Sequence, residues 1–182
     1  MDTPLESVLF SREMIAARVR ELADEIAAAC RKEKIGELTL VAVADGALVF
    51  AADLMRELAV PVRFASVRTS CYGAGTTPGS RVEISGPLPE IAGGHVLVVE
   101  DILDTGNTIK WLIEYFAGKG AASLSVVTLL DKKVAGRPAD LLGDTPFYAG
   151  FDIPDDFVIG YGLDYNQLHR NLPSIYKIHK AS

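Results

Sequence analysis

Hydrophobic residues along this chain follow two alternating rhythms. Ile15, Val19, Leu22 and Ile26 recur every three or four positions behind Ser11, so the spacing predicts a helix with a serine N-cap. Arg31, Lys32 and Lys34 gather where cations favour a helix C-terminus, and Gly36 is the expected stop. The rhythm then gives way to an unbroken apolar block, Leu38 to Ala44, which predicts a strand buried on both faces. Asp45-Gly46 turns into a second helical pattern carrying Leu48, Val49, Ala52, Leu54 and Met55, closed by Pro61, and Val62 to Val67 reads as the next strand. Tyr72 to Ser80 (YGAGTTPGS) has the composition of a mobile loop, with a short strand at Arg81 to Ile84 returning from it. Val96 to Val99 is another solid strand, followed by a helix bearing Ile109, Leu112, Ile113 and Phe116 and by a strand at Leu124 to Leu130. Pro138, Pro146, Pro154 and Pro173 punctuate the last third, which reads as loops around one short strand, Phe157 to Tyr161.

Strands alternating with helices predict an α/β fold: a doubly wound, mainly parallel sheet with ligands at the carboxyl ends of its strands. The two chain ends are expected to fold together as a small cap. At 182 residues, with no internal repeat or linker, residues 1–182 read as one domain.

A net charge of −6 argues against a nucleic-acid-binding surface. No apolar run approaches a membrane span, and Asp2, Glu6, Arg12 and Glu13 interrupt any signal-like segment, so a cytoplasmic location is expected. Cys30 and Cys71 form no CxxC pattern, and His95, His169 and His179 are scattered, which argues against a histidine–cysteine metal site.

The chemistry concentrates in VLVVEDILDTGNT, Val96 to Thr108. A buried strand ends in Glu100 and Asp101, and Asp104-Thr105-Gly106-Asn107-Thr108 leads directly into a helix. Such a junction offers free backbone N–H groups, hydroxyls and the positive end of a helix dipole to an anion. Two carboxylates beside it can hold vicinal ribose hydroxyls, directly or through a divalent metal. A ribose 5-phosphate fits this better than a nucleoside triphosphate does.

This block resembles the phosphoribosyl pyrophosphate signature of the type I phosphoribosyltransferases. The segment Pro154 to Pro173 (PDDFVIGYGLDYNQLHRNLP) resembles the C-terminal segment of the hypoxanthine-guanine phosphoribosyltransferases, and the likeness runs from Leu38 to about Pro173. The resemblance implies that Phe157 stacks on a purine, that Val158 bonds the base through its backbone and that Lys132 donates to the 6-oxygen. It implies further that Asp164 reaches a magnesium ion at the base side and that Arg170 contacts pyrophosphate. It places a non-proline cis peptide in the turn Ala44-Asp45-Gly46, whose backbone would meet the diphosphate. Asp45 departs from the family pattern, where a basic or amide side chain is frequent; a carboxylate there repels pyrophosphate unless magnesium intervenes or it points away. Tyr72 is the candidate for the loop that closes over the reaction.

The implied reaction is transfer of the 5-phosphoribosyl group from phosphoribosyl pyrophosphate to a 6-oxopurine, releasing pyrophosphate, with Mg2+ held by Glu100, Asp101 and Asp164. Asp104 is the expected general base or hydrogen-bond partner at purine N7, and Thr105, Gly106, Asn107 and Thr108 hold the 5-phosphate. A lysine donor suits a 6-oxo group and meets the 6-amino group of adenine donor to donor. Hypoxanthine, guanine and xanthine remain undivided by these residues. The alternative class is a regulator that binds phosphoribosyl pyrophosphate without turning it over, which calls for an added DNA-binding segment or a basic face. A homo-oligomer, dimer or tetramer, is expected.

Overall fold

In the computed structural model, residues 5–71, 82–85 and 90–178 are described. Strand β1 (Leu5–Phe10) precedes helix α1 (Arg12–Glu33), then β2 (Leu38–Ala44), α2 (Leu48–Glu57), β3 (Val62–Cys71), β4 (Val82–Ser85) and β5 (His95–Leu103). Helix α3 (Asn107–Gly118), β6 (Ser123–Lys132), β7 (Phe147–Ile153), β8 (Phe157–Ile159) and β9 (Ile175–Ile178) complete the order.

The main sheet has six strands in the order β4-β3-β2-β5-β6-β7; all pair parallel except β4, which is antiparallel to β3. Apolar blocks become central strands because both sheet faces are covered. On β5, Leu97 and Val99 pack with α1 and α2, whereas Val96 and Val98 pack with α3, as the two-residue period of a strand requires. Phe50 on α2 and Phe116 on α3 are fully buried on these opposite faces, each contributing about 1.5–3 kcal/mol by leaving water.

Helix α1 begins as expected, with the Ser11 hydroxyl accepting from the Met14 N–H. It ends earlier than expected: Lys34, not Gly36, adopts the left-handed conformation (φ 57°), and its N–H closes onto Arg31 and Cys30 carbonyls.

Two further corrections concern strands. The segment before Pro154 is not loop: Phe147–Ile153 forms the edge strand β7, where Arg18 of α1 donates to the Ala149 and Gly150 carbonyls at 2.8 and 3.0 Å. That cover occupies backbone acceptors a sheet edge would otherwise expose. The expected strand at Phe157 to Tyr161 stops at Ile159, and Gly160 continues only as an isolated bridge to Leu163.

The expected cap is a separate antiparallel sheet, β1-β9-β8, in which the first and last described strands pair. Tyr161 anchors the segment after β8 by donating from its phenol to Asp53 of α2 at 2.7 Å. The loop Tyr72 to Ser80, the Tyr72 assignment and Arg81 lie outside the described residues.

Candidate active site

The carboxyl ends of β2, β5 and β6 and the loop after β8 converge on one face. Glu100 and Asp101 lie within β5, and Glu100 is 8% exposed. Burial, and then the neighbouring Asp101 charge, push the Glu100 carboxyl well above the usual glutamate range. Asp101 is also pushed up by burial, against the lowering effect of its contact with Glu100, the Ile102 N–H at 2.9 Å and the charge of Arg170. Paired, desolvated carboxylates are a donor set suited to a hard divalent cation or to vicinal hydroxyls.

Asp164 does not join them. Among the described residues no three acidic, histidine or cysteine side chains gather into a metal cluster. The Asp164 carboxylate instead pairs with Arg170 at 2.7 Å and accepts from the Gln167 N–H at 2.8 Å. Arg170 also acts on Asp101, so a guanidinium stands among these acids and divides the expected ligand set.

Past β5, Asp104 to Gly106 form the turn into α3. Gly106 is the N-cap at φ 81°, a left-handed conformation that glycine adopts without strain, and it supplies no side chain to bond the first-turn N–H groups. Leu141 lies where a Cβ on Gly106 would be. A cavity of about 220 Å³ opens here, lined by Ala44, Glu100 and Asp104 to Thr108 among others. A helix N-terminus and hydroxyls in such a cavity suit an anion such as a phosphate.

The turn after β2 carries a cis peptide at Ala44–Asp45, as the resemblance implied. The Asp45 carboxylate pairs with Arg68 of β3 at 2.8 Å, which neutralises the charge that would repel a diphosphate. Packing here is backbone-close. A Cβ on Gly46 would overlap the Asp101 carboxylate, and one on Gly162 (φ 102°) would overlap the Gly46 carbonyl. The three segments therefore stack in order: acid pair, the turn after β2, C-terminal loop. Arg170 secures the last by donating to the Gly162 carbonyl at 2.7 Å.

Lys132 ends β6 with its ammonium 2.6 Å from Asp155 and 3.7 Å from Asp104. Burial disfavours its charge, but the two acids outweigh that and hold its pKa above the ordinary lysine value. Phe157 meets Tyr165 edge to face at 5.7 Å, and Val158 is buried in β8 beside β9.

Three participants escaped the sequence reading. Asp155 had a signal, standing two residues before Phe157. Arg68 had none, because its role follows from the parallel register that sets it beside Ala44. Arg137, in the loop after β6, donates to the Leu103, Asp104 and Lys132 carbonyls at 3.2, 3.4 and 3.1 Å, and pairs with the buried Asp131 at 2.7 Å. It thereby staples the ends of β5 and β6, which carry Asp104 and Lys132.

Comparison with known proteins agrees with this geometry. Residues 11–166 match the model of the phosphoribosyl transferase domain. The chain is 40% identical over 173 residues to the hypoxanthine phosphoribosyltransferase of Haemophilus influenzae, covering 94% of each. It is 39% identical over 177 residues to the hypoxanthine-guanine phosphoribosyltransferase of Bacillus subtilis, covering 96% of this chain and 94% of that one. A crystal structure of a hypoxanthine-guanine phosphoribosyltransferase from Bacillus anthracis superposes with a TM-score of 0.85 at 36% identity, covering 97% of this chain and all of the other.

Proposed function

This chain belongs to the phosphoribosyl transferase family, and from that premise we propose how its own residues carry out the reaction. It is a purine-salvage enzyme of the hypoxanthine(-guanine) phosphoribosyltransferase type, transferring the 5-phosphoribosyl group of phosphoribosyl pyrophosphate to a purine base. We assign residues 1–182 to one phosphoribosyltransferase domain.

The observation that carries the assignment of roles is the meeting of Asp104 and Lys132, 3.7 Å apart on neighbouring strand ends, beside the cavity at the α3 N-terminus. Thr105, Gly106, Asn107 and Thr108 hold the 5-phosphate with backbone N–H groups and hydroxyls. Glu100 and Asp101 hold the ribose hydroxyls. Ala44, Asp45 and Gly46 present backbone to the pyrophosphate, and Arg170 offsets its charge.

Phe157 stacks on the purine, a contact worth about 1–3 kcal/mol per base in other proteins. The Val158 backbone bonds the base edge. Lys132 donates to the 6-oxygen, which selects hypoxanthine or guanine over adenine. Asp104 accepts or shares the N7 proton, making N9 the better nucleophile toward the anomeric carbon.

Mg2+ is the proposed cofactor; when bound it neutralises charge growing on the departing pyrophosphate. The desolvated Glu100–Asp101 pair fits such an ion, and Asp164, engaged with Arg170, is a separate contact at the base side. A cytoplasmic location without nucleic-acid or membrane partners is part of the same proposal, and the net charge of −6 supports the lack of a nucleic-acid partner. Leu48 and Val49, apolar yet exposed at the start of α2, support a homo-oligomer, dimer or tetramer, which light scattering measures.

The deciding experiment is a steady-state assay offering hypoxanthine, guanine, xanthine and adenine with phosphoribosyl pyrophosphate and magnesium. Turnover is expected with hypoxanthine, guanine or both, and none with adenine. Preference for adenine would overturn the role given to Lys132.

A further inference from the structure

Asp155 and Asp156 stand in the short connection between β7 and β8, directly before the aromatic residue assigned to the base. Neighbours in sequence, they hold opposite parts of the molecule. Asp156 pairs with Lys177 of β9 at 2.8 Å, within the small cap sheet. Asp155 pairs with Lys132 of β6 at 2.6 Å, at the end of the main sheet. The connection is fixed locally by the Asp156 N–H, which donates to the Pro154 carbonyl at 2.7 Å.

Lys132 has a second acid in reach, Asp104, but at 3.7 Å the distance exceeds that of a hydrogen bond. Its side chain is 12% exposed, whereas those of Asp104 and Asp155 are 50% and 70% exposed. A lysine ammonium is a compact charge on a flexible stem, so the acid that wins it decides where it points. We propose that Asp155 is a positioning residue: by holding the Lys132 ammonium it keeps that charge off Asp104 and aims a remaining N–H at the base.

Two consequences follow, both resting on the roles assigned above to Lys132 and Asp104. Without the Asp155 charge, Lys132 closes on Asp104. The ammonium then leaves the 6-oxygen position, which weakens base binding. It also ties up the carboxylate needed at N7, which slows turnover. The phosphoribosyl pyrophosphate cradle, on other residues, is spared. Because the same connection leads into Phe157, the pair also sets the stacking ring against the lysine that reads the ring's edge.

The test is steady-state kinetics of full-length Asp155→Asn, Asp155→Glu, Lys132→Ala and the Lys132→Ala/Asp155→Asn double variant, with thermal melting of each. Asp155→Asn is expected to raise KM for hypoxanthine and guanine and to lower kcat, each by about threefold to tenfold, more than a fully exposed ion pair would give because the Lys132 side chain is largely covered. KM for phosphoribosyl pyrophosphate should stay within about twofold, the spread expected of a surface change away from its site. Asp155→Glu should restore most of both constants. In the Lys132→Ala background, Asp155→Asn should change neither.

Lowered melting temperature with unchanged constants would show a merely structural tie and overturn the proposal. So would an equal effect of Asp155→Asn with and without Lys132. Failure of the underlying assignment reads differently: Lys132→Ala itself would then leave KM for both bases unchanged.

Discussion

The ends of β5 and β6 lie side by side in parallel register, Leu103 beside Asp131, yet they handle charge in opposite ways. On β5, buried Glu100 and half-buried Asp101 lie against each other, and desolvation pushes both carboxyls up. On β6, every charge is matched: Lys132 by Asp155 and Asp104, and Asp131 by Lys133 and Arg137. The first arrangement is costly until a cation or hydroxyl donors arrive, so its binding energy is realised by ligand. The second is neutral in advance and spends little on reorganising when a base enters. In the roles proposed above, one strand end attracts its ligand and the other reads it.

The sharpest way to break this contrast is at Asp104, which touches both sides. Asp104→Asn should lower kcat by roughly 10²–10⁴-fold, the usual cost of losing an acid–base group, while leaving phosphoribosyl pyrophosphate binding near wild type in calorimetry. Near-normal turnover would remove Asp104 from the chemistry.

The ligand-attracting side is tested next. Glu100→Gln with Asp101→Asn should weaken the magnesium dependence of activity by roughly 10–100-fold in the half-saturating concentration. Excess chelator should abolish turnover of the wild type, and full activity in chelator would assign these acids another task.

The reading side should respond more mildly. Lys132→Ala should raise KM for hypoxanthine and guanine together, by the equivalent of about 1.5–3 kcal/mol for a hydrogen bond to a charged group. Discrimination against adenine should also weaken. A variant with normal constants that still rejects adenine would place base reading elsewhere.

The smallest effect is on stability. Because the Glu100 pKa is raised in the folded state, the native protein retains a proton that the unfolded chain releases. The associated stability is complete below the unfolded glutamate pKa, about 4.3, and is lost as pH rises through the folded value. Metal-free protein should therefore melt at progressively lower temperature across that window, by ~2–4 °C for each kcal/mol lost in a chain of this size. Glu100→Gln should flatten the slope, and an unchanged slope would show that other groups cause it.

What the sequence made legible was whatever rests on contiguous pattern. The blocks at Leu38 and Val96 became central strands because burial on both faces demands unbroken apolar residues. The acids and small residues of the β5–α3 junction took their expected places because one strand and one turn carry them all. The edge strand β7 was not legible: its residues are half-buried, and Gly150 and Pro146 mimic loop composition. Nor was the end of α1, where Lys34, its N–H closing onto the last helical carbonyls, takes a conformation that composition assigns to glycine. Pairings between distant segments, Asp45 with Arg68 or Asp155 with Lys132, leave no local trace. They arise only once strand register is set, and they account for the side-chain details that the motifs missed.

The pairing of β8 with β9 has a consequence for the order in which the enzyme comes into being. On the ribosome, the acid pair, the phosphate cradle and Lys132 are all synthesised before Phe157. The strand bearing Phe157 has no neighbour but β9 in its sheet, and β9 in turn holds β1, from the start of the described chain. Contacts of such long sequence separation close late, because the loop entropy is spent before any pairing rewards it. On the assignments proposed above, a nascent chain acquires its sugar-phosphate cradle first and its base-stacking wall last. Unfinished polypeptide is expected to retain phosphoribosyl pyrophosphate without presenting it to a purine.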